Sequence, residues 1–246
     1  MFRDALSSPQ ILQKIRMKYL YLWLNLGSFI VPFLFSFHPR LQFYKKWKSF
    51  GKATLIMMAV FIPWDILFTQ NGFWGFNETY ITGFRFLELP IEEWLFFICI
   101  PYACIFTHYS LLTLFPKLSI SKRAVEVTHL ILISILVITL WYYYDRWYTL
   151  VNFSYGIIVL GLVYNYRQQL LKTFLLTYLV ILIPFFIVNG VLTGTGIEDQ
   201  VVWYNNAENL GIRMLTIPVE DIIYNLGMLL TVLVFTEWFE AKKQPT

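Results

Sequence analysis

The sequence predicts an all-α protein: a polytopic membrane helical bundle of seven transmembrane helices, in which two parallel three-helix repeats are joined by a linking helix. Hydrophobic residues make up 58% of the chain and charged residues only 14%, whereas soluble domains contain about 25% charged residues. Seven apolar segments approach the ~20 residues that a span requires, and one twelve-residue motif occurs twice. We expect a single membrane domain over residues 1–246.

The predicted spans follow the apolar segments in chain order. They cover about residues 19–36, 53–69, 91–115, 126–144, 149–164, 171–191 and 218–236. The fifth is short and contains Asn152. Cys99 and Cys104 lie in one span, so we expect them to contribute to packing rather than to a disulfide or a metal site. No small-residue cleavage site follows the first apolar span, so no cleavable signal peptide is expected.

Lysine and arginine residues predict the orientation of the bundle in the cell membrane. Twelve of them fall in the loops 37–52, 116–125 and 165–172 and in the C-terminal tail. The loops on the other side carry three, so the positive-inside rule predicts a cytoplasmic C-terminus. Four basic residues in the N-terminal tail oppose this orientation. Because the basic residues lie in short loops, the net charge of +4 does not indicate a nucleic-acid partner.

One motif recurs at a constant offset of 128 residues. The segment GFRFLELPIEEW (83–94) aligns with GIRMLTIPVEDI (211–222). Upstream, DILFTQNG from Asp65 aligns with NGVLTGTG from Asn189, after a four-residue gap. Both copies therefore place a Gly-x-Arg, a proline and two acidic residues where a helix begins.

The alignment divides the chain into two copies of one three-helix unit. Repeat 1 covers about residues 19–115, the linking helix about 126–144 and repeat 2 about 149–240. Because the copies lie four spans apart, they run in the same direction and are related by an axis along the membrane normal. Binding sites in such proteins tend to lie where the repeats meet.

Each repeat opens its third helix with an acid pair, Glu92 and Glu93 or Glu220 and Asp221. Proline and one acid in a first helical turn are explained by the helix dipole alone, but the dipole does not explain why both repeats keep two acids in register. A charged group in the hydrocarbon region costs at least about 2.5–3.5 kcal/mol and by default faces a bundle interior. We therefore expect these acids to gather with Asp65, where desolvation and like-charge repulsion keep at least one carboxyl protonated near neutral pH.

Aromatic residues, at 20% of the chain, are the second chemical signal. The segment WYYYDRWY (141–148) is typical of an interfacial belt. Others lie in or at the start of predicted spans, among them Trp64, Phe68, Trp94 and Phe96. Their negative ring faces attract cations, which suits a reaction that passes through a carbocation, although packing alone also explains such residues.

Several function classes lack their sequence signatures. No Gly-x-Gly-x-x-Gly follows a strand, so no dinucleotide fold is predicted, and no aspartate run spaced for magnesium diphosphate indicates a prenyltransferase. The seventh span, 218–236, contains no lysine to form a retinal Schiff base. The histidines, His38, His108 and His129, are scattered, and we predict no metal site.

The segments PIEEWLFF, GIRMLTIPVEDIIYNLGMLL and FTEWFE resemble the carotenoid-cyclase domain of the heterodimer-type and fused lycopene cyclases. The Pro-x-Glu-(Glu/Asp) motif of that family occurs twice, at Pro90–Glu93 and Pro218–Asp221. The resemblance covers about Leu20 to Glu240. Since both copies lie in one chain, the resemblance implies that no partner subunit is needed.

The resemblance implies cyclisation of the acyclic ψ-ends of lycopene to γ-carotene and then β-carotene, an isomerisation without net redox change, with both carotenoids taken from the lipid phase. A carboxyl protonates C2 of the terminal alkene, the neighbouring double bond closes a six-membered ring, and a base removes the proton on C6. We predict Glu92 and Glu220 as the main proton-transfer residues, supported by Glu93, Asp221 and Asp65. The predicted substrate-binding residues are Asn189, Trp64, Phe68, Trp94, Phe96, Arg85 and Arg213.

Several alternatives stay open at the level of sequence. A proton-coupled transporter also uses parallel repeats and intramembrane acids, and a carotenoid-binding protein without chemistry fits the same aromatics. Asp65 becomes Asn189 in repeat 2, so the halves are not expected to be equivalent. Arg85 and Arg213 either keep a carboxylate ionised or anchor their loops. The β- or ε-ring product, the number of ends cyclised, the acid–base assignment and the oligomeric state stay undecided, and no cofactor is indicated, although a flavin site without a motif stays open.

Overall fold

The computed structural model describes residues 17–243. Within that range the backbone forms six α-helices and three two-stranded sheets. The helices are α1 Leu20–Phe35, α2 Trp47–Gln70, α3 Ile91–Leu114, α4 Lys122–Tyr142, α5 Trp147–Leu192 and α6 Glu220–Ala241, and a short 3-10 helix covers Phe43–Lys46. The strands are β1 Trp74–Phe76, β2 Arg85–Phe86, β3 Leu89–Pro90, β4 Val202–Tyr204, β5 Arg213–Met214 and β6 Ile217–Pro218.

Five helical segments of the described chain are long and apolar enough to cross a membrane: Phe43–Gln70, α3, α4, α5 and α6. The helix α1 is apolar but shorter, at 16 residues. The mostly helical structure and its long apolar helices confirm an all-α integral membrane protein. The total of seven spans stays a prediction.

The helix α5 is too long for a single crossing. It has 46 residues, and a straight helix of that length would measure about 69 Å, more than twice the ~30 Å of the hydrocarbon core. Arg167 interrupts it with non-helical dihedral angles, φ −143° and ψ 34°. The interruption lies between the predicted fifth and sixth spans, so α5 consists of two helical pieces joined at a kink.

The helix α6 lies at the centre of the bundle. Its residues from Asn225 to Leu233 form an unbroken buried run, and it packs against α2 and α5. The helix α1 packs on α3, and α4 packs on α5 at the periphery. Since lipid tails are as apolar as the helices, close packing and buried hydrogen bonds hold such a bundle together, rather than exclusion from water.

The strands β1 and β4 pair antiparallel and join the long loops that precede α3 and α6; we call this pair the inter-repeat ribbon. Opposite each other lie Trp74 and Tyr204, Gly75 and Trp203, and Phe76 and Val202. Replacing each residue by its counterpart 128 positions away gives the same set of pairs: Trp74 with Tyr204 becomes Val202 with Phe76. The two loops therefore meet about a local two-fold axis, as identical patches do in a symmetric dimer.

Each repeat also forms a tight hairpin immediately before its third helix, β2–β3 in repeat 1 and β5–β6 in repeat 2. Leu87 and Leu215 occupy equivalent turn positions with left-handed φ angles of 49° and 59°. Arg85 donates to the Glu88 carbonyl oxygen at 2.8 Å, and Arg213 makes the equivalent bond in the other hairpin. The hairpins determine where α3 and α6 begin and so place an acid pair in each first turn.

Candidate active site

All five predicted catalytic carboxyls are buried at the end of the bundle where the hairpins and the inter-repeat ribbon lie. Asp65 is 2% exposed, Glu92 and Glu220 are 0% exposed, Glu93 is 8% exposed and Asp221 is 6% exposed. Adjacent helical positions point about 100° apart. The two acids of each pair therefore face different surroundings.

Glu92 and Glu220, the first acids of the pairs, face the backbone of their own loops. Thr82 N donates to Glu92 Oε1 and Leu210 N to Glu220 Oε1, both at 2.7 Å. Thr149 Oγ1 adds a bond to Glu220 Oε1 at 2.8 Å. Neither glutamate lines the cavity between the repeats. Because buried N–H groups need acceptors, these contacts hold the loops against the helix starts.

Glu93 and Asp221, the second acids, face the interior between the repeats. Tyr21 OH donates to Glu93 Oε2 and Tyr148 OH to Asp221 Oδ1, both at 2.5 Å. Tyr204 OH donates to Asp221 Oδ2 at 3.0 Å, and repeat 1 has a phenylalanine in its place. Burial and the nearby Asp221 carboxyl raise the pKa of the Tyr204 phenol well above its ordinary value, so Tyr204 keeps the proton it donates.

Asp65, from α2, completes the acidic group. Trp74 Nε1 donates to Asp65 Oδ1 at 2.6 Å, while Oδ2 has no partner among the described residues. Asn189 lies at the equivalent place in repeat 2 and reaches the same cavity. Its Nδ2 donates to the Phe185 carbonyl oxygen at 3.3 Å. The site therefore has an acid on one side and a neutral amide on the other.

These side chains enclose one cavity of about 60 Å³ where the two repeats meet. Its acidic wall is formed by Asp65, Glu93 and Asp221. Aromatic rings form much of the remaining wall, namely Tyr21, Trp74, Phe76, Phe96, Tyr148, Phe185, Tyr204 and Tyr224. The arrangement combines carboxyls, which are able to give and accept protons, with ring faces that tolerate positive charge.

No lysine or arginine forms an ion pair with the cavity acids in the part of the chain that the structure describes, although the Arg213 guanidinium lies 5.4 Å from the centre of the Tyr204 ring. The ion pairs there join Arg85 to Glu78, Lys46 and Lys243 to Glu240, and Lys122 to Glu126. Carboxyls that share a buried space without a cation cannot all be ionised, because desolvation and mutual repulsion oppose it. A buried group of this kind is able to hold protonated and ionised carboxyls side by side.

The two predicted substrate-binding arginines do not line the cavity. Besides its hairpin bond, Arg85 pairs with Glu78, and Arg213 Nη2 donates to Asn206 Oδ1 at 2.7 Å. Residues 78 and 206 are themselves equivalent, at the offset of 128. Of the two roles expected for the arginines, these contacts correspond to loop anchoring. Arg213 also lies 5.4 Å from the centre of the Tyr204 ring, whose hydroxyl donates to Asp221, so the second role stays open for Arg213.

The predicted substrate-binding aromatics divide into three groups. Phe96 lines the cavity. Trp64 and Phe68 are buried one layer behind it, with ring centres 5.1 and 5.0 Å from those of cavity aromatics. Trp94 turns to the hairpin, where its Nε1 donates to the Phe86 carbonyl oxygen at 3.1 Å. Only the first group is positioned to contact a molecule in the cavity.

The aromatic donors that hold the cavity acids were not predicted from the sequence. Tyr21 and Tyr148 lie 127 residues apart, whereas Asp65 and Asn189 lie 124 apart. Extending the repeat alignment upstream would therefore have paired the two tyrosines only after a three-residue shift. Trp74 and Tyr204 have no counterpart of the same type in the other repeat, which has Val202 and Phe76. No repeat signal marks these two residues.

Fold and site together define an integral membrane protein in which two related segments surround a group of buried carboxyls. Aromatic rings line the same cavity, and the cavity carboxyls form no ion pair within the described residues. The sequence profile of the lycopene cyclase family matches the chain twice, over residues 18–112 and 145–239. The chain belongs to the lycopene cyclase family, and so to the enzymes of carotenoid cyclisation. This finding confirms the family resemblance of the two motifs. No curated protein and no solved structure matches the chain.

Proposed function

We propose that the protein converts the acyclic ψ-ends of lycopene to β-ionone rings, forming γ-carotene and then β-carotene without net redox change. The observation that carries this proposal is the burial of Asp65, Glu93 and Asp221 on one aromatic cavity. Lycopene is a hydrocarbon and offers no polar group for these acids to bind. The free-energy cost of burying these acids is therefore explained by a role in the reaction rather than by a role in substrate binding.

The reaction requires an acid before the ring closes and a base after it has closed. The acid protonates C2, and the electron pair of the C1–C2 double bond forms the new C–H bond, which leaves the positive charge on C1. The C5–C6 double bond then attacks C1, closes the six-membered ring and moves the charge to C5. Loss of the C6 proton to the base restores the C5–C6 double bond and gives the β-ring.

We assign both proton transfers to the carboxyls on the cavity, Glu93, Asp221 and Asp65. This assignment differs from the sequence-based hypothesis, in which Glu92 and Glu220 came first. What supports the change is that the latter two accept hydrogen bonds from loop backbone and do not line the cavity. In the proposed mechanism they position the loops that carry the site.

The aromatic wall has two functions in this mechanism. Phe96, Trp74 and Tyr224 present rings to the cavity, and ring faces stabilise a nearby cation. The rings also keep the cavity largely apolar, which protects a carbocation from capture by water. The same wall suits a hydrocarbon substrate, which gains contact without losing hydrogen bonds.

The cavity is too small for a carotenoid in the conformation described. Its volume of about 60 Å³ lies far below the ~300–1,000 Å³ of pockets that hold drug-sized ligands. We infer that the ψ-end enters sideways from the lipid and that the helices around the cavity separate to admit it. We also infer, from the distribution of basic loops, a cytoplasmic C-terminus, with the cavity toward the opposite face of the cell membrane.

Expression in bacteria that accumulate lycopene tests the proposal. We expect the cells to turn from red to yellow-orange, with γ-carotene and β-carotene in the pigment chromatogram. Unchanged lycopene would contradict cyclase activity and leave the transporter hypothesis. Lycopene that copurifies with the protein without a ring-containing product would indicate a carotenoid-binding protein. Products with ε-rings would support cyclase activity and would correct only the type of ring that we propose.

A further inference from the structure

The two hairpins that precede α3 and α6 expose apolar side chains at equivalent positions. Three side chains of each hairpin are large, apolar and 44% to 75% exposed: Phe84, Phe86 and Leu87 in the first, and Ile212, Met214 and Leu215 in the second. The second set is the first one shifted by 128 positions. A group of exposed apolar side chains marks a surface that contacts another molecule or a membrane.

The leucine of each turn also has an unfavourable backbone conformation. Leu87 has a φ of 49° and Leu215 a φ of 59°, in the left-handed region where the Cβ of an L-residue crowds the following carbonyl oxygen. Tight hairpin turns ordinarily have glycine, asparagine or aspartate at such positions. Both leucine side chains are more than half exposed, so packing within the described chain does not explain them. A contact with the surroundings accounts for leucine at both turns.

The apolar surface of the first hairpin continues onto α3. The centre of the Phe86 ring lies 5.1 Å from that of the Trp94 ring, and Trp94 Nε1 donates to the Phe86 carbonyl oxygen. Ile98, one turn further along α3, is 41% exposed. Helix positions four residues apart lie on one face, and α3 is long and apolar enough to span a membrane. The hairpin surface is therefore continuous with a face that a span presents to lipid.

The hairpin backbone suits an apolar environment, in which backbone polar groups need partners within the protein. The strands pair with each other in both hairpins. Ile91 N donates to the Phe84 carbonyl oxygen at 2.9 Å, and Val219 N to the Ile212 carbonyl oxygen at 3.1 Å. An arginine in each hairpin donates to a carbonyl oxygen of the turn.

Charged side chains limit how deep the hairpins can lie. Glu88 follows Leu87 in the first turn and is exposed, and a carboxylate near the bilayer centre is costly. Apolar side chains beside charged ones and a tryptophan are typical of the boundary between lipid headgroups and hydrocarbon. Thr216 replaces Glu88 in the second turn, so the same depth costs less there.

We propose that both hairpin turns insert their apolar side chains into membrane lipid, at the boundary between headgroups and hydrocarbon at this end of the bundle. A bilayer surrounds the bundle and reaches both copies of the patch, whereas a single partner protein would have to bridge them. Because each hairpin is bonded to the start of its helix, the depth of the turns also fixes the depth of the acid pairs. The inference does not depend on the cyclase function.

Fluorescence quenching in vesicles tests the proposal. The full chain, with its two cysteines replaced by alanine, is given Leu87→Cys or Leu215→Cys, labelled with a small fluorophore and reconstituted in phosphatidylcholine. Ile187→Cys, at an exposed position of α5, is the lipid reference, and Glu198→Cys, in the exposed loop before α6, is the water reference. We expect nitroxide-labelled lipids to quench both turn labels as they quench the label at 187. Iodide should quench the turn labels at least about threefold less than the label at 198.

The double variant Leu87→Asn/Leu215→Asn tests the same point without a label. Asparagine tolerates left-handed φ angles better than leucine, so turns that face water would gain stability. Turns that lie in lipid would lose apolar contact and place amides there, so we expect the unfolding temperature in vesicles to fall by several degrees. Gln42→Asn is the matched control, since Gln42 has a φ of 47° outside the hairpins. Its unfolding temperature should be unchanged or higher.

Each contrary outcome overturns the proposal. Labels quenched by iodide and not by nitroxide lipids, or a more stable asparagine variant, would place the turns in water. Labels shielded from both quenchers would show that protein covers the turns, either a second copy of the chain or another partner. If a labelled turn variant does not accumulate, Phe84→Cys and Ile212→Cys give the same comparison. None of these measurements uses lycopene, so failure of the cyclase function would appear only in the pigment chromatogram.

Discussion

Glu92 and Glu93 are neighbours in the first turn of α3, yet only Glu93 lines the cavity. The variant Glu93→Gln keeps the side-chain volume and removes the group that gains and loses a proton. We expect cyclisation to fall by about 10²–10⁴, the usual contribution of general acid–base catalysis. Asp221→Asn should have a similar effect. Pigment chromatography, normalised to the amount of protein in the membrane, measures the loss.

Glu92→Gln is the matched control for this residue-scale prediction. The glutamine Oε1 is still able to accept from Thr82 N, the contact that Glu92 makes, so we expect activity close to that of wild type. Full activity of Glu93→Gln together with loss of activity in Glu92→Gln would reverse our assignment and return proton transfer to Glu92.

At the scale of elements, the inter-repeat ribbon connects the two halves of the site. Trp74 and Tyr204 lie opposite each other on the ribbon and donate to Asp65 and Asp221. At Gly75 an added Cβ would lie 2.4 Å from the Trp203 ring. Gly75→Ala therefore displaces the indole or the strand, and we expect a loss of about 1–3 kcal/mol in stability. Thermal unfolding in detergent measures the loss.

Gly161→Ala serves as the control for the ribbon prediction. Gly161 lies inside α5, and no atom lies within 4 Å of its added Cβ. Alanine is favoured over glycine in a helix by roughly 1 kcal/mol, so we expect an unchanged or slightly higher unfolding temperature. Equal unfolding temperatures for Gly75→Ala and wild type would show that the indole moves without cost.

The sequence predicted a helical membrane bundle and the start of each third helix, but not the six short strands or the directions of the side chains. Proline and the hairpin arginine mark the start of each third helix, and the offset of 128 identified both acid pairs. Which acid of a pair faces the cavity depends on the rotation of the helix about its axis, which tertiary packing determines. Tyr21 contacts Glu93 from 72 residues away, and no local pattern encodes such a contact.

At the scale of the whole molecule, two similar segments form one site that is not symmetric. The acid-pair contacts recur in both halves, since Tyr21 and Tyr148 donate to equivalent carboxyls. The contacts of α2 and the ribbon do not recur, because Trp74 and Asp65 have valine and asparagine as counterparts. We infer that the shared contacts maintain the fold of each half and that the differing ones give the halves different roles in the proposed reaction.

This asymmetry predicts the result of exchanging Asp65 and Asn189. Asp65→Asn alone removes an acid from the cavity, and we expect cyclisation to fall at least about tenfold. The double variant Asp65→Asn/Asn189→Asp restores the number of acids, but Val202 stands where repeat 1 has Trp74, so the new carboxyl lacks the indole donor that Asp65 has at 2.6 Å. We therefore expect the double variant to remain as impaired as the single one in the pigment chromatogram. Recovery of wild-type activity would mean that the two halves are interchangeable and that the indole contact contributes nothing to the reaction.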